Sequence, residues 1–138
     1  MSVCTFFGHR DYTGIYNCEL EKTVERLIND YNTDLFICGN TGAFDLNVAI
    51  ILKKLRTIYP HIKCFIVLSK ITDQKYDLET LLPDGIENVP PRFAIDYRNK
   101  WMIEKSDYVV ACVNRSFGGA SKFTELATKK NRKVFNIG

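Results

Sequence analysis

The sequence predicts an α/β domain built on a Rossmann-like parallel sheet of about five strands, with helices on both faces. Three observations point there. Short apolar runs rich in Val, Ile, Phe and Cys alternate with amphipathic segments, loops of small residues follow three of those runs, and the 138 residues fit one domain. A chain of this length buries roughly two thirds of its unfolded surface, so a core can form without disulfides or metal. Residues 1–138 read as a single domain.

The first strand candidate is 3–7, which ends in Gly8-His9-Arg10. Leu20, Val24, Leu27, Ile28 and Tyr31 then recur at helical spacing and mark one buried helical face. The second strand, 34–38, runs into Gly39-Asn40-Thr41-Gly42-Ala43, and a helix follows from about 44 to 58, where Tyr59-Pro60 stops it. The third strand is 62–68. Residues 69–93 are long for a connection and carry Asp84-Gly85 and Pro90-Pro91; they read as a lid or binding loop, or as a surface excursion with one short helix around 78–82. A helix near 95–105, a strand at 108–113, the loop Phe117-Gly118-Gly119-Ala120, a helix at 120–130 and a strand at 133–137 complete the chain. Right-handed crossovers give the order 3-2-1-4-5. The loops at 8–10 and 114–119 then flank the expected ligand crevice, at the switch point between the first and fourth strands.

The net charge of +3 is interspersed with acids, which argues against a nucleic acid duplex as partner. The five cysteines are odd in number and include no C-x-x-C pair, and Cys4, Cys38, Cys64 and Cys112 fall in strand candidates. They read as reduced thiols of a cytoplasmic protein. No charged leader precedes a long apolar stretch and no run approaches ~18 apolar residues, so neither secretion nor membrane insertion is expected. His9 and His61 have no metal-ligand spacing; neither a metal nor a cofactor is implied.

Glycine in the three loops lets backbone N–H groups approach an anion, and each following helix adds partial positive charge. On its helix Arg98 lies in the stripe formed by Ala94, Ile95, Tyr97, Trp101 and Met102. An inward arginine needs an anion or several acceptors, since an unpaired buried charge costs several kcal/mol. A ligand phosphate, an internal Asp or a ring of carbonyls would serve, and snorkelling would avoid the need. Lys122, in the first turn of the last helix, opposes the macrodipole unless an anion binds there; a solvated lysine loses only a few tenths of a kcal/mol. His9 and Asp45 flank two of the loops and could contact a ribose or phosphate, with Asp45 alternatively capping a helix. Glu125 points away from the face of Ala120, Phe123, Leu126 and Ala127, as a surface glutamate would. Leu46 and Ile50 lie off the main apolar stripe of their helix, which suits either a subunit contact or enclosure between sheet and lid.

Phe6-Phe7-Gly8-His9-Arg10, Gly42-Ala43-Phe44-Asp45, Pro90-Pro91-Arg92-Phe93-Ala94-Ile95, Arg98-Asn99-Lys100-Trp101-Met102, Ser106-Asp107-Tyr108 and Gly118-Gly119-Ala120-Ser121-Lys122 follow one another along nearly the whole chain. In this order and spacing they resemble the YpsA-like branch of the SLOG superfamily. The resemblance implies a Rossmann-like domain that takes a nucleotide-derived small molecule, of ADP-ribose or mononucleotide type. Gly8, His9, Arg10, Gly39, Asn40, Thr41, Gly42, Asp45, Arg92, Arg98, Gly118, Gly119, Ala120, Ser121 and Lys122 are the candidate ligand residues.

Two roles follow for such a domain, a sensor or a protein sequestering a signalling nucleotide of phage or host defence, and a homodimer or larger homo-oligomer is expected. The related Lonely-guy phosphoribohydrolases cut the base from a nucleoside 5′-monophosphate. By that resemblance Arg98 would orient the phosphoribosyl group, and Glu125 would stabilise oxocarbenium charge or activate water. Asn99 stands where those enzymes have lysine, and Ser121-Lys122 where they have Gly-Thr, which favours binding over hydrolysis. A protein-interaction scaffold with a vestigial pocket is the third reading.

Overall fold

The computed structural model describes residues 2–138 and contains a single parallel sheet. Its strands are β1 (Ser2–Gly8), β2 (Thr33–Cys38), β3 (Lys63–Val67), β4 (Glu79–Leu81), β5 (Tyr108–Cys112) and β6 (Lys133–Asn136), in the spatial order β4-β3-β2-β1-β5-β6. The helices are α1 (Asn17–Asp30), α2 (Ala43–Ile58), α3 (Ala94–Lys105) and α4 (Gly119–Lys129), with short 3-10 turns at Ile86–Asn88 and Pro91–Phe93. This is a Rossmann-like α/β fold.

The period-2 alternation of the strands sorts the core into two layers. Cys4 and Phe6 of β1 and Phe36 and Cys38 of β2 pack with Leu20, Val24 and Leu27 of α1 and Phe44, Val48 and Leu52 of α2. Phe7, Ile37, Val67 and Val109 face the other way, onto Met102 and Ile103 of α3 and Phe123 and Ala127 of α4. Each of these large side chains contributes about 1.5–3 kcal/mol by leaving water. Because successive side chains point to opposite faces, a one-residue slip of β1 or β2 would exchange the two layers, and burial on both faces therefore specifies their register.

The five expected strands keep the order read from topology, and a sixth is added at the edge. β4 pairs in parallel with β3, Phe65 opposite Glu79 and Val67 opposite Leu81. The short helix considered for 78–82 is therefore replaced by a strand. Leu78 is buried while Glu79 and Thr80 face solvent, and three residues on an exposed edge are too few to display an alternation.

Leu46 and Ile50 are 62% and 61% exposed, so no lid encloses that side of α2. The enclosed alternative falls because residues 69–93 fold over the carboxyl ends of β2 and β3 instead, where they wall a cleft. Among the described residues no helix is long and apolar enough to cross a membrane. The cysteines are all free thiols, with Cys18 alone exposed.

Candidate functional site

Gly8 ends β1 directly beneath α2. A Cβ at this position would lie 2.1 Å from Phe44 Cγ, so glycine here admits the phenylalanine ring to the core. The β1 loop is then tied down on both sides. The Ala43 N–H donates to the Arg10 carbonyl (3.0 Å), and the Asn114 N–H donates to His9 Nε2 (3.3 Å). His9 is only 7% exposed, and burial together with the nearby Arg115 cation holds its pKa below the usual value, which suits a neutral acceptor nitrogen. Arg115 in turn grips Asp11 through two 3.1 Å hydrogen bonds. These contacts draw the loops after β1 and β5 against each other at the switch point.

The principal cleft accordingly lies to one side of that point. It measures about 1000 Å³ and is bounded by the β2–α2 loop, the segment from Ser69 to Tyr76, and the stretch from Leu82 to Ile95. Of the expected ligand residues only Asn40 and Thr41 line it; the Gly8-His9-Arg10 loop, Arg92 and the loop beginning α4 do not. Residues 69–93 supply most of the wall. Their unusual length and their Asp84-Gly85 and Pro90-Pro91 pairs were the visible sequence signal, but nothing marked Ser69, Lys70 or Tyr76 individually.

Arg98 lies behind Asn40 and Thr41, out of the cleft itself. Its side chain is wholly buried, and it is the largest fully buried side chain in the chain's described residues. Nε donates to Asn99 Oδ1 (2.9 Å), Nη1 to Asn40 Oδ1 (2.8 Å) and to the Val67 carbonyl (3.1 Å), and Nη2 to Thr41 Oγ1 (3.1 Å). Four protein oxygens thus accept from the guanidinium. Of the partners open in the sequence, carbonyls supply three of the four hydrogen bonds and the Thr41 hydroxyl the fourth, while an internal acid, Asp45, adds its charge without a hydrogen bond; Asn40 and Thr41 are also residues lining the cleft. Arg98 is not itself exposed to the cleft; it bonds Asn40 and Thr41, which line it.

Asp45, half-buried in the first turn of α2, accepts from the Thr41 N–H (2.9 Å) and hydroxyl (3.4 Å). Burial pushes its pKa up to about 6, against the pull of the Thr41 N–H and the Arg98 charge. Gly39 sits between the two charges: a Cβ there would lie 2.9 Å from Asp45 Oδ2 and 3.1 Å from Arg98 Cζ. The β2–α2 loop is therefore a self-braced platform. With the Thr41 and Ala43 N–H groups donating within the protein, it is a weaker anion cradle than its glycines promise.

The loop leading into α4 is different in kind. Gly118 and Gly119 are exposed, and a Cβ at either would meet nothing within 4 Å. Ala120 and Ser121 follow, half-buried, in the first turn. Lys122 bridges to Asp96 of α3 at 3.1 Å, so its charge at this helix start is balanced by a carboxylate. Asp96 follows Ile95, a residue of the cleft wall, so the Lys122–Asp96 bridge ties the start of α4 to the first turn of α3. Arg92 is exposed and stacks on Phe93, 4.8 Å from the ring centroid. Glu125 is 68% exposed and pairs with Lys129 one turn on, at 3.4 Å. It is outside the cleft, as periodicity indicated.

No family model and no curated protein matches this sequence. Among solved structures, the fold is similar to the X-ray structure of DNA processing protein A (DprA) from Streptococcus pneumoniae. The TM-score is 0.71 at 16% identity, over 99% of this chain and 50% of that one. This chain therefore spans about half the length of that neighbour, and the likeness is one of fold.

Proposed function

We propose that the chain binds a nucleotide-derived small molecule, of ADP-ribose or mononucleotide type, as a sensor or sequestering protein. The observation carrying this reading is the cleft at the carboxyl ends of β2 to β4, where Asn40 and Thr41 line the wall over a buried arginine. Ligands of open α/β sheets bind outside the carboxyl ends of the strands, by rule at the switch point, here between β1 and β5, and this cleft lies at the same ends beside that point. The cleft's size falls at the upper end of small-molecule sites, and its lining combines apolar walls with a few convergent polar groups.

The ordered motifs support placement in the YpsA-like branch of the SLOG superfamily, with which a Rossmann-like fold is consistent. Hydrolysis of the N-glycosidic bond is less well supported, because Glu125 is solvated and paired with Lys129. The name of the streptococcal neighbour also raises a DNA-related role, so a short oligonucleotide belongs in the same test. In a thermal-shift panel of AMP, ADP, ADP-ribose and cyclic ADP-ribose isomers, a ligand at 100 times its Kd should stabilise the fold by about 2.7 kcal/mol. No change with any nucleotide refutes the reading.

A further inference from the structure

We propose that Tyr76 selects what occupies the cleft, donating its hydroxyl hydrogen to an acceptor atom on a planar heterocycle, with the direction of that bond fixed from within by Arg98 through Asn40. This assignment rests on the ligand reading above and names the group that would be recognised.

A guanidinium has donors and no acceptor, so the Asn40 atom 2.8 Å from Arg98 Nη1 must be its oxygen. The amide nitrogen of Asn40 therefore faces the other way, and it donates to the Tyr76 hydroxyl at 3.1 Å. With an oxygen lone pair engaged by Asn40, the hydroxyl keeps its hydrogen for a further partner. Thr41, the other side chain that Arg98 holds here, sends its hydrogen back to Asp45. The buried charge thus sets the polarity of both side chains, and Tyr76 is where the outward branch ends, on the cleft wall.

The apolar wall indicates the shape of the acceptor-bearing group. Ile71, Leu82 and Ile95 are large hydrophobic side chains left 85%, 37% and 41% exposed, and all three line this cleft, as does the buried Ile86. A flat ring laid against them would remove that surface from water and present an edge to Tyr76. A nucleobase or nicotinamide-like ring with a carbonyl or ring nitrogen has both features. A saturated polar group has only the second.

Calorimetric titration with ADP-ribose, and with AMP as a second probe, tests the assignment. Tyr76→Phe should weaken binding about fivefold to tenfold, the worth of one neutral hydrogen bond. Asn40→Asp keeps an acceptor for Arg98 but offers a second oxygen to Tyr76, whose hydrogen would then turn inward. The loss caused by Asn40→Asp should be larger in the Tyr76 protein than in the Tyr76→Phe protein, by at least the effect of Tyr76→Phe itself. A merely structural Asn40 would give additive losses. Additive losses, or unchanged affinity in Tyr76→Phe, overturn the assignment while leaving the ligand reading intact; absence of binding by both probes overturns the two together. If Asn40→Asp fails to fold, the result for Tyr76→Phe decides.

Discussion

Replacing Arg98 with alanine withdraws a donor from four oxygens at once, those of Asn40, Thr41, Asn99 and Val67. Asn40 and Thr41 border the cleft and regain water in part. The Val67 carbonyl, at the end of a strand buried on both faces, does not, and an orphaned buried acceptor costs about 1–3 kcal/mol. The void left by a long side chain adds about 2–5 kcal/mol, by analogy with Leu or Met to Ala. Relief of the guanidinium's desolvation works in the opposite direction. The net expectation is destabilisation by about 3–5 kcal/mol, the void and the orphaned acceptor less that relief. Urea unfolding reads this as a lower midpoint at unchanged slope. An arginine reserved for a ligand would behave oppositely, leaving stability equal or higher after substitution, and that result would refute the internal role assigned here.

Three further outcomes are expected. Asp45 has a folded pKa of about 6 against an ordinary 3.8, so its contribution to stability is fully present below about pH 4 and is lost as the pH rises through about 6. The difference between wild type and Asp45→Asn in unfolding free energy should follow that window, and a difference independent of pH between 4 and 7 contradicts it. The exposed Leu46 and Ile50 predict self-association through α2, so light scattering should find a dimer or larger assembly that Leu46→Glu with Ile50→Glu reduces to monomer; a wild-type monomer at high concentration disproves the contact. Chromatography after incubation with AMP should recover it intact, with Glu125→Gln changing affinity little. Free adenine that disappears in Glu125→Gln, with a loss of ~10²-fold or more, would instead establish hydrolysis.

What could be read from the sequence depended on how much chain each feature spans. β1 and β2 have apolar residues enough to show their faces, and the strand order follows from handedness, so five of the six strands were legible. β4 is three residues long, with two of them in water, and carries no period. The inward direction of Arg98 was legible because its neighbours three and four residues away are apolar. Its partners were not, since Asn40 and Thr41 lie 58 and 57 residues away and Val67 contributes only a backbone oxygen. Glycines misled in part for the same reason. Gly8 and Gly39 look like phosphate-loop residues in a string of letters, yet each admits a bulky neighbour, the Phe44 ring or the Asp45 and Arg98 side chains. Only the Gly118-Gly119 loop keeps the open approach that all three promised. Tyr76 belongs to a segment without periodicity, and its position on the cleft emerges only when the chain folds back over β2 and β3.

The central claim is that a nucleotide-derived molecule occupies the cleft beside Asn40 and Thr41 and reaches the open loop at the start of α4. At 15.9 kDa the protein suits amide-resolved NMR, and titration with ADP-ribose tests the claim most directly. The account predicts saturable shifts confined to the amides of Asn40, Thr41, Ser69, Lys70, Tyr76 and Ile95, together with Gly118, Gly119 and Ser121. Shifts confined to the opposite end of the sheet, or none at all at millimolar ADP-ribose, would contradict it.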